Sequence, residues 1–139
     1  MIGVRDARPD DLDRLSDLVG QLWEAHGDTD LDPARTGPRA AFLLDHCDVR
    51  MFTRDDRVIG YAALYDMGDL MFVRHFVIDR AVRGSGTGRA AYEVLARTCF
   101  PGRAVRLDAS VKISQPRAFW EAMGFSAIGW VMESRGEAA

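Results

Sequence analysis

The feature that most constrains this chain is the stretch Arg80-Ala81-Val82-Arg83-Gly84-Ser85-Gly86-Thr87-Gly88-Arg89, which follows a long apolar run over residues 70–78. Three glycines at alternate positions let the backbone curl with its N–H groups turned inward. Ala91, Leu95 and Cys99 then recur at helical spacing with Val94 beside them, so the glycines stand between a strand and the start of a helix. Free amides and the positive helix end make such a turn an anion site, suited to phosphate or pyrophosphate. Arg80, Arg83 and Arg89 flank it and can add charge-assisted bonds. An ordinary flexible turn needs neither three glycines in five residues nor three arginines around them.

Two phosphate-binding patterns fail on context. Gly86-Thr87-Gly88-Arg89-Ala90-Ala91 fits G-x-G-x-x-A, and Asp108 follows at the distance of a dinucleotide fingerprint. That fingerprint opens the first βαβ unit of its fold, whereas here about half the chain precedes it. The 139 residues leave room for one crossover afterwards, too few for a doubly wound sheet. No Gly-Lys-Ser/Thr follows the loop, so it is not a P-loop.

The length predicts one domain with a real core, over residues 1–133, and a flexible tail over 134–139. The 47% hydrophobic and 28% charged residues exclude intrinsic disorder, and no apolar run approaches the ~18–20 residues of a membrane helix. The first residues turn acidic where a secretory signal turns apolar, which predicts a cytoplasmic protein and no membrane partner. Cys47 and Cys99 fit no disulfide framework or metal motif and read as small core side chains. No metal is expected. Net charge is −3, unevenly spread: residues 1–73 hold 8 Arg against 15 Asp/Glu, and residues 74–117 hold 9 Lys/Arg against 3. That places a basic anion site beside an acidic surface.

The apolar periodicity predicts a strand over residues 1–6, then a helix with Pro9 at its first position. Its stripe is Leu12, Leu15, Leu18, Val19, Leu22 and Trp23, and Gly27 ends it. Residues 27–39 read as a loop with a helical turn at Pro33, and a second helix as residues 39–46. Strands follow over 49–53, 58–65 and 70–78, then the glycine loop and a helix stopped by Pro101-Gly102. A strand over 104–111, a short helix over 116–123 capped by Ser114, and a last strand over 125–132 complete the chain. This order describes an α+β (mixed α/β) fold: a central mixed, mostly antiparallel sheet of about six strands with about four helices on its faces.

Parsed as R-x-x-G-x-G from Arg83 through Gly86 to Gly88, the loop resembles that of the GNAT superfamily of acyl-CoA-dependent N-acetyltransferases. Phe119-Trp120-Glu121-Ala122-Met123-Gly124-Phe125 is similar to that family's aromatic-x-x-x-Gly-Phe helix end, and the element order agrees over residues 1–133. The resemblance implies acetyl-CoA as acyl donor, with its pyrophosphate held by Arg83, Gly84, Ser85, Gly86, Thr87, Gly88 and Arg89. Its pantetheine would pair with backbone at Phe76, Val77 and Ile78, and Ser114 and Trp120 would line the cofactor. The chain departs from the family twice. Ile113 stands where an Asn is frequent, with Ser114 next to it, and Trp120 stands where many members place a proton-donating Tyr. An indole cannot give up that proton.

The implied reaction moves an acetyl group to a primary amine by direct attack in a ternary complex. For the base, His75 on the central strand has a suitable ordinary pKa near 6.5. Asp108 is a second candidate, and a water relay a third. Trp23, Glu24 and His26 stand at the end of the first helix, on the acceptor side in this family. The acidic stretch after them suits a cationic amine; a solvated acidic loop is the other reading of the same residues. The alternative function is a non-catalytic acyl-CoA binder. A nucleic-acid module lacks an aromatic platform or recognition helix, so no nucleic acid partner is expected. Exposed sheet edges suit a homodimer.

Overall fold

The structure is a computed structural model and describes residues 1–109 and 114–136. Five strands, β1 (Ile2–Asp6), β2 (Asp48–Arg54), β3 (Arg57–Asp66), β4 (Leu70–Ile78) and β5 (Ala104–Leu107), lie in that order in one sheet. The first four are antiparallel neighbours, and β5 runs parallel to β4. Helices α1 (Leu12–Ala25) and α2 (Pro33–His46) cover one face; α3 (Thr87–Cys99) and α4 (Ser114–Ala122) cover the other. No helix among the described residues is long and apolar enough to cross a membrane.

Each helix begins where the chemistry of its first turn allows. A 3-10 turn at Pro9–Asp11 leads into α1, and the Asp11 carboxylate accepts the Arg8 amide at 2.7 Å and both Arg5 guanidinium nitrogens at 2.8 Å. The second helix starts at Pro33, six residues earlier than the sequence predicts. Asp32 caps it by accepting the Ala34 amide at 2.9 Å, with Pro33 preset in the first turn. Pro38 sits inside it and removes one helical bond, but a buried Ser16–Thr36 hydrogen bond of 2.6 Å and the burial of Ala40 and Leu43 hold the helix through that position.

The two cores share the sheet. Leu15, Leu18, Val19 and Leu43 pack on Met51, Tyr61, Ala63 and Val77. On the other face Ala91, Tyr92, Leu95 and Trp120 pack on Phe52, Ala62, Leu64, Met71, Val73 and Ile78. Two irregularities make this possible. The β3–β4 register runs from Ala63↔His75 to Leu64↔Val73, so Arg74 is an extra, exposed residue in β4. It reverses the inside–outside phase, so Met71 and Val73 share a core with Phe76 and Ile78. A similar shift in the β2–β3 pairing leaves Ile59 without a partner in β2.

Among the described residues the sheet has five strands where about six are expected. Residues 125–132, which read as a last strand, run without secondary structure, and their large apolar side chains from Ile128 onward are exposed. Strand β5 stops at Leu107, short of residue 111, and residues 110–113 lie outside the described residues. The chain remains irregular through residue 136, and the rest of the expected tail is outside the described residues. Cys47 and Cys99 are free and half-buried against the two cores.

Candidate functional site

Strand β5 pairs only with the first part of β4, from Leu70↔Ala104 to Val73↔Leu107. Arg103 fixes that start: its guanidinium binds the Asp66 carboxylate and the Gly68 carbonyl, both at 2.8 Å, in the turn between β3 and β4. The pairing stops at Val73↔Leu107, where β5 ends, and residues 74–78 have no partner on that side among the described residues. The Asp79 amide donates to the Ile59 carbonyl of β3 at 2.8 Å. Alternation along an antiparallel strand then turns the amides of Phe76 and Ile78 toward the open edge.

A 3-10 turn at Arg80–Val82 leads from that edge to the glycine loop. Gly84, Ser85 and Gly86 are three successive left-handed residues, with φ of 85°, 53° and 76°, which curl the backbone tightly ahead of α3. A Cβ added at Gly84 or Gly86 would meet nothing within 4 Å, so space stands open above the loop. Gly86 is the N-cap of α3 and accepts the Ala90 amide, and helix geometry leaves the amides of Gly88 and Arg89 free of intrahelical acceptors. Gly88 has a different duty: a Cβ there would lie 3.2 Å from the Phe119 ring, so glycine lets α3 and α4 close together.

The arginines of the loop are held in place locally. The Arg83 Nε donates to the Ile78 carbonyl at 2.7 Å, Arg89 pairs with Glu93 at 3.1 Å, and Arg80 pairs with Glu24. The loop is also anchored from α1. Gln21 accepts the Arg80 amide at 2.8 Å and donates to Asp79 at 3.1 Å, while Arg14 pairs with Asp79 and donates to the Val58 carbonyl at 2.9 Å. Burial works against ionisation of Asp79, but the Arg14 guanidinium, the Ala81 amide and Gln21 outweigh it and hold the carboxyl at about 2. Arg14, Gln21 and Asp79 are not among the residues the sequence points to; only the position of Asp79 at the strand end hints at it.

These placements match a known family. The sequence profile of the Acetyltransferase (GNAT) family covers residues 12–125. The chain belongs to the GNAT family. No curated protein matches the sequence itself. Among solved structures, the chain is similar to a possible acetyltransferase from Clostridium difficile 630, with 18% identity, TM-score 0.77, and coverage of 100% of this chain and 99% of that one. An aminoglycoside N-acetyltransferase in complex with CoA gives 18% identity and TM-score 0.73, covering 99% and 96%. A ribosomal-protein-alanine N-acetyltransferase from Brucella melitensis biovar Abortus 2308 gives 17% identity and TM-score 0.74, covering 99% and 100%. At these identities the likeness is one of fold.

In this GNAT chain, His75 and Val77 face the α1–α2 side of the sheet, opposite Phe76 and Ile78. The His75 Nδ1 is 2.9 Å from the hydroxyl of the fully buried Tyr61. Burial, with Arg74 and Arg39 nearby, pushes its pKa down to about 4, so the ring is neutral at neutral pH. Asp108 is exposed, one residue beyond β5. Ser114 is the first residue of α4. Trp120 is 8% exposed and sits in an aromatic cluster, with ring centroids 5.2 Å from both Phe76 and Phe125 and 5.3 Å from Tyr92.

The residues assigned to the acceptor side lie together at the end of α1. Trp23 is packed against the α1–α2 core with the Arg35 guanidinium 5.0 Å from its ring centre. Glu24 is taken by Arg80, and the exposed His26 donates Nδ1–H to the Leu22 carbonyl at 2.9 Å. Arg35 also binds Asp28 at 3.2 Å and lies 3.6 Å from Asp30, while Asp32 caps α2. The Asp30 amide, with Arg35, holds the Asp28 carboxyl below its ordinary range. Much of the acidic charge expected to attract a cation is therefore engaged within the loop. Among the described residues no group of side chains could hold a metal ion.

Proposed function

We propose that this protein transfers the acetyl group of acetyl-CoA to a primary amine. The observation that carries the reading is the convergence of the open β4 edge at residues 74–78 on the left-handed loop at residues 84–86. One supplies a row of backbone groups for an extended amide-bearing chain; the other supplies amides for a pyrophosphate at its end. When bound, acetyl-CoA supplies an acetyl thioester whose thiol, with an ordinary pKa near 8.5, leaves without obligatory protonation. The amides of Phe76 and Ile78 are fixed donors at the edge where a carbonyl oxygen would gain charge. Arg83, held against Ile78, and Arg89, at the start of α3, add positive charge beside the loop.

The acceptor must attack as the free amine. An ammonium of pKa near 10.4 gives up its proton about six units uphill to a ring of pKa about 4. His75 therefore holds its position as a neutral hydrogen-bonding group, and the amine reacts from its free-base fraction, on the order of 10⁻³ or less at pH 7, its proton having passed to bulk solvent in a prior equilibrium. Trp120 contributes packing and no proton. Whether the acceptor is cationic is read from the rate in high salt, which falls if Glu24 and the aspartates near it attract it.

A thermal-shift titration with CoA and acetyl-CoA, followed by thiol release across a panel of amines, tests the reading. Stabilisation by both and turnover with an amine support it; no shift with either defeats it. A second reading, an acyl-CoA binder without turnover, is favoured by the weak basicity of His75 and the indole at Trp120. Binding without thiol release on any amine selects that one.

A further inference from the structure

The neutral ring of His75 carries its hydrogen on a definite nitrogen. Tyr61 is fully buried, and burial raises its pKa far above the ordinary 10, so the hydroxyl keeps its hydrogen. The partner of that hydroxyl is the His75 Nδ1, 2.9 Å away. Were Nδ1 the donor, the tyrosine hydrogen would be left without an acceptor in the core. Tyr61 therefore donates, Nδ1 accepts, and the ring hydrogen sits on Nε2. Nε2 has no partner among the described residues and is not buried, so its N–H is a spare donor on the α1–α2 side of the sheet.

Two guanidinium groups stand around it. Arg74 is the extra residue of β4, exposed at the point where the pairing with β5 ends. Its Nη1 donates to the Tyr65 hydroxyl at 3.0 Å, and its guanidinium carbon is 5.5 Å from the centre of that ring. Tyr65 follows Tyr61 and Ala63 at alternate positions of β3, on the same face as His75. Arg39 stands on α2 one turn before Leu43, which shares a core with Tyr61, and its guanidinium is 5.3 Å from the Phe42 ring centre. Neither arginine pairs with a carboxylate among the described residues. Arg35 and Arg80, by contrast, are taken by Asp28 and Glu24. The charges that act on the His75 ring come from Arg74, Arg39 and His26, each opposing its protonation, and no carboxylate offsets them.

We infer that the acceptor amine also carries an anionic oxygen group, a carboxylate or a phosphate, held by Arg74 and Arg39 together with the Nε2–H of His75. This rests on the acetyl-transfer reading and names its substrate class. The three groups only donate, so a second ammonium finds no acceptor among them, whereas a carboxylate or phosphate takes two parallel bonds from one guanidinium. Both guanidinium groups already lie against aromatic rings, which limits the freedom they lose on binding. The placement fits as well. Arg74 precedes Phe76, whose amide is turned to the open edge, by two residues, or about 7 Å at 3.3 Å per residue. One small molecule with its amine and its anionic group a few bonds apart spans that distance.

Thiol release from acetyl-CoA is measured with matched pairs: α-amino acids against their carboxamides, and phosphoethanolamine against ethanolamine, with spermidine as the cationic control. At least one anionic member should exceed its neutral partner by about tenfold or more in kcat/KM. The double variant Arg39→Gln, Arg74→Gln should bring that pair to within about threefold while leaving CoA affinity unchanged. Neutral partners or spermidine turned over as well as the anionic amines overturn the inference and leave the transferase reading standing. A preference that survives in the double variant overturns it too. Calorimetric titration of the same pairs into the protein with CoA present reads the site without turnover. An anionic amine bound over its neutral partner in wild type and not in the double variant upholds the inference even where no thiol is released, and the transferase reading alone then fails. Neither binding nor turnover of any anionic amine overturns the inference.

Discussion

The side-chain oxygen of Gln21 accepts the backbone amide of Arg80 at 2.8 Å, across 59 residues of sequence, while its nitrogen donates to Asp79. One amide side chain thus ties the middle of α1 to the point where β4 gives way to the glycine loop. Substituting Gln21→Leu keeps the volume and removes both bonds. A buried polar group left unpaired costs about 1–3 kcal/mol, so the melting temperature should fall by several degrees. The loop also loses its anchor, and calorimetric titration should show weaker CoA binding. An unchanged CoA affinity in a folded Gln21→Leu protein would show that α1 does not position the loop.

Asp79 has a carboxyl at about 2, well under its ordinary 3.8, so the folded protein binds its proton less readily than the unfolded chain does. Its contribution is complete above the unfolded value and is lost as pH falls from about 4 through about 2. A shift of that size corresponds to about 2 kcal/mol. Urea unfolding of wild type and Asp79→Asn between pH 6 and pH 2 should show the variant less stable at the upper end, with the gap closing at the lower. Parallel curves over the whole range would contradict this.

For His75 the folded pKa, about 4, lies below the unfolded 6.5, because the buried ring resists charging. Stability from the neutral ring is therefore full above 6.5 and declines as pH drops from 6.5 toward 4. His75→Gln should flatten that stretch of the stability curve. In turnover, wild-type kcat/KM should rise with pH toward the pKa of the acceptor amine and show no inflection near 6.5. An inflection there that disappears in His75→Gln would make the histidine a working base.

Two glycines should respond in opposite ways. Gly86 has φ of 76° with open space where a Cβ would go, so Gly86→Val costs about 1–2 kcal/mol of backbone strain and disturbs the anion loop. The expected outcome is a folded protein whose CoA dissociation constant rises at least tenfold. Gly60 lies where a Cβ would come 2.2 Å from the Val77 carbonyl oxygen, so Gly60→Ala forces β3 and β4 apart. Its expected signature is a loss of about 1–3 kcal/mol in unfolding, seen with or without CoA.

Features carried by a few neighbouring residues are legible in the sequence. The glycines after an apolar run mark the loop, and the leucine stripe of α1 shows in its spacing. The start of α2 is hidden because Gly37-Pro38 reads as a break, while its true support, the bond from Thr36 to Ser16, comes from another helix. The bulge at Arg74 is hidden because β4 is apolar on both faces, and such a strand shows no phase to interrupt. The contacts of Arg14 and Gln21 with Asp79 join residues 58–65 positions apart, a distance no local pattern encodes. For residues 125–132 the alternating pattern is present in the sequence, yet the segment runs without secondary structure because no strand pairs with it among the described residues.

The unpaired residue Arg74 makes β4 sensitive to length in a way its composition conceals. Deleting that one residue would leave an equally apolar strand of nearly equal length, yet every side chain on one side of the cut would change faces relative to those on the other. Phe76 and Ile78 would be driven against the α1–α2 helices, and His75 would be turned toward the aromatic cluster around Trp120. Natural variation in this strand should therefore be free to exchange one apolar residue for another and intolerant of a single gain or loss.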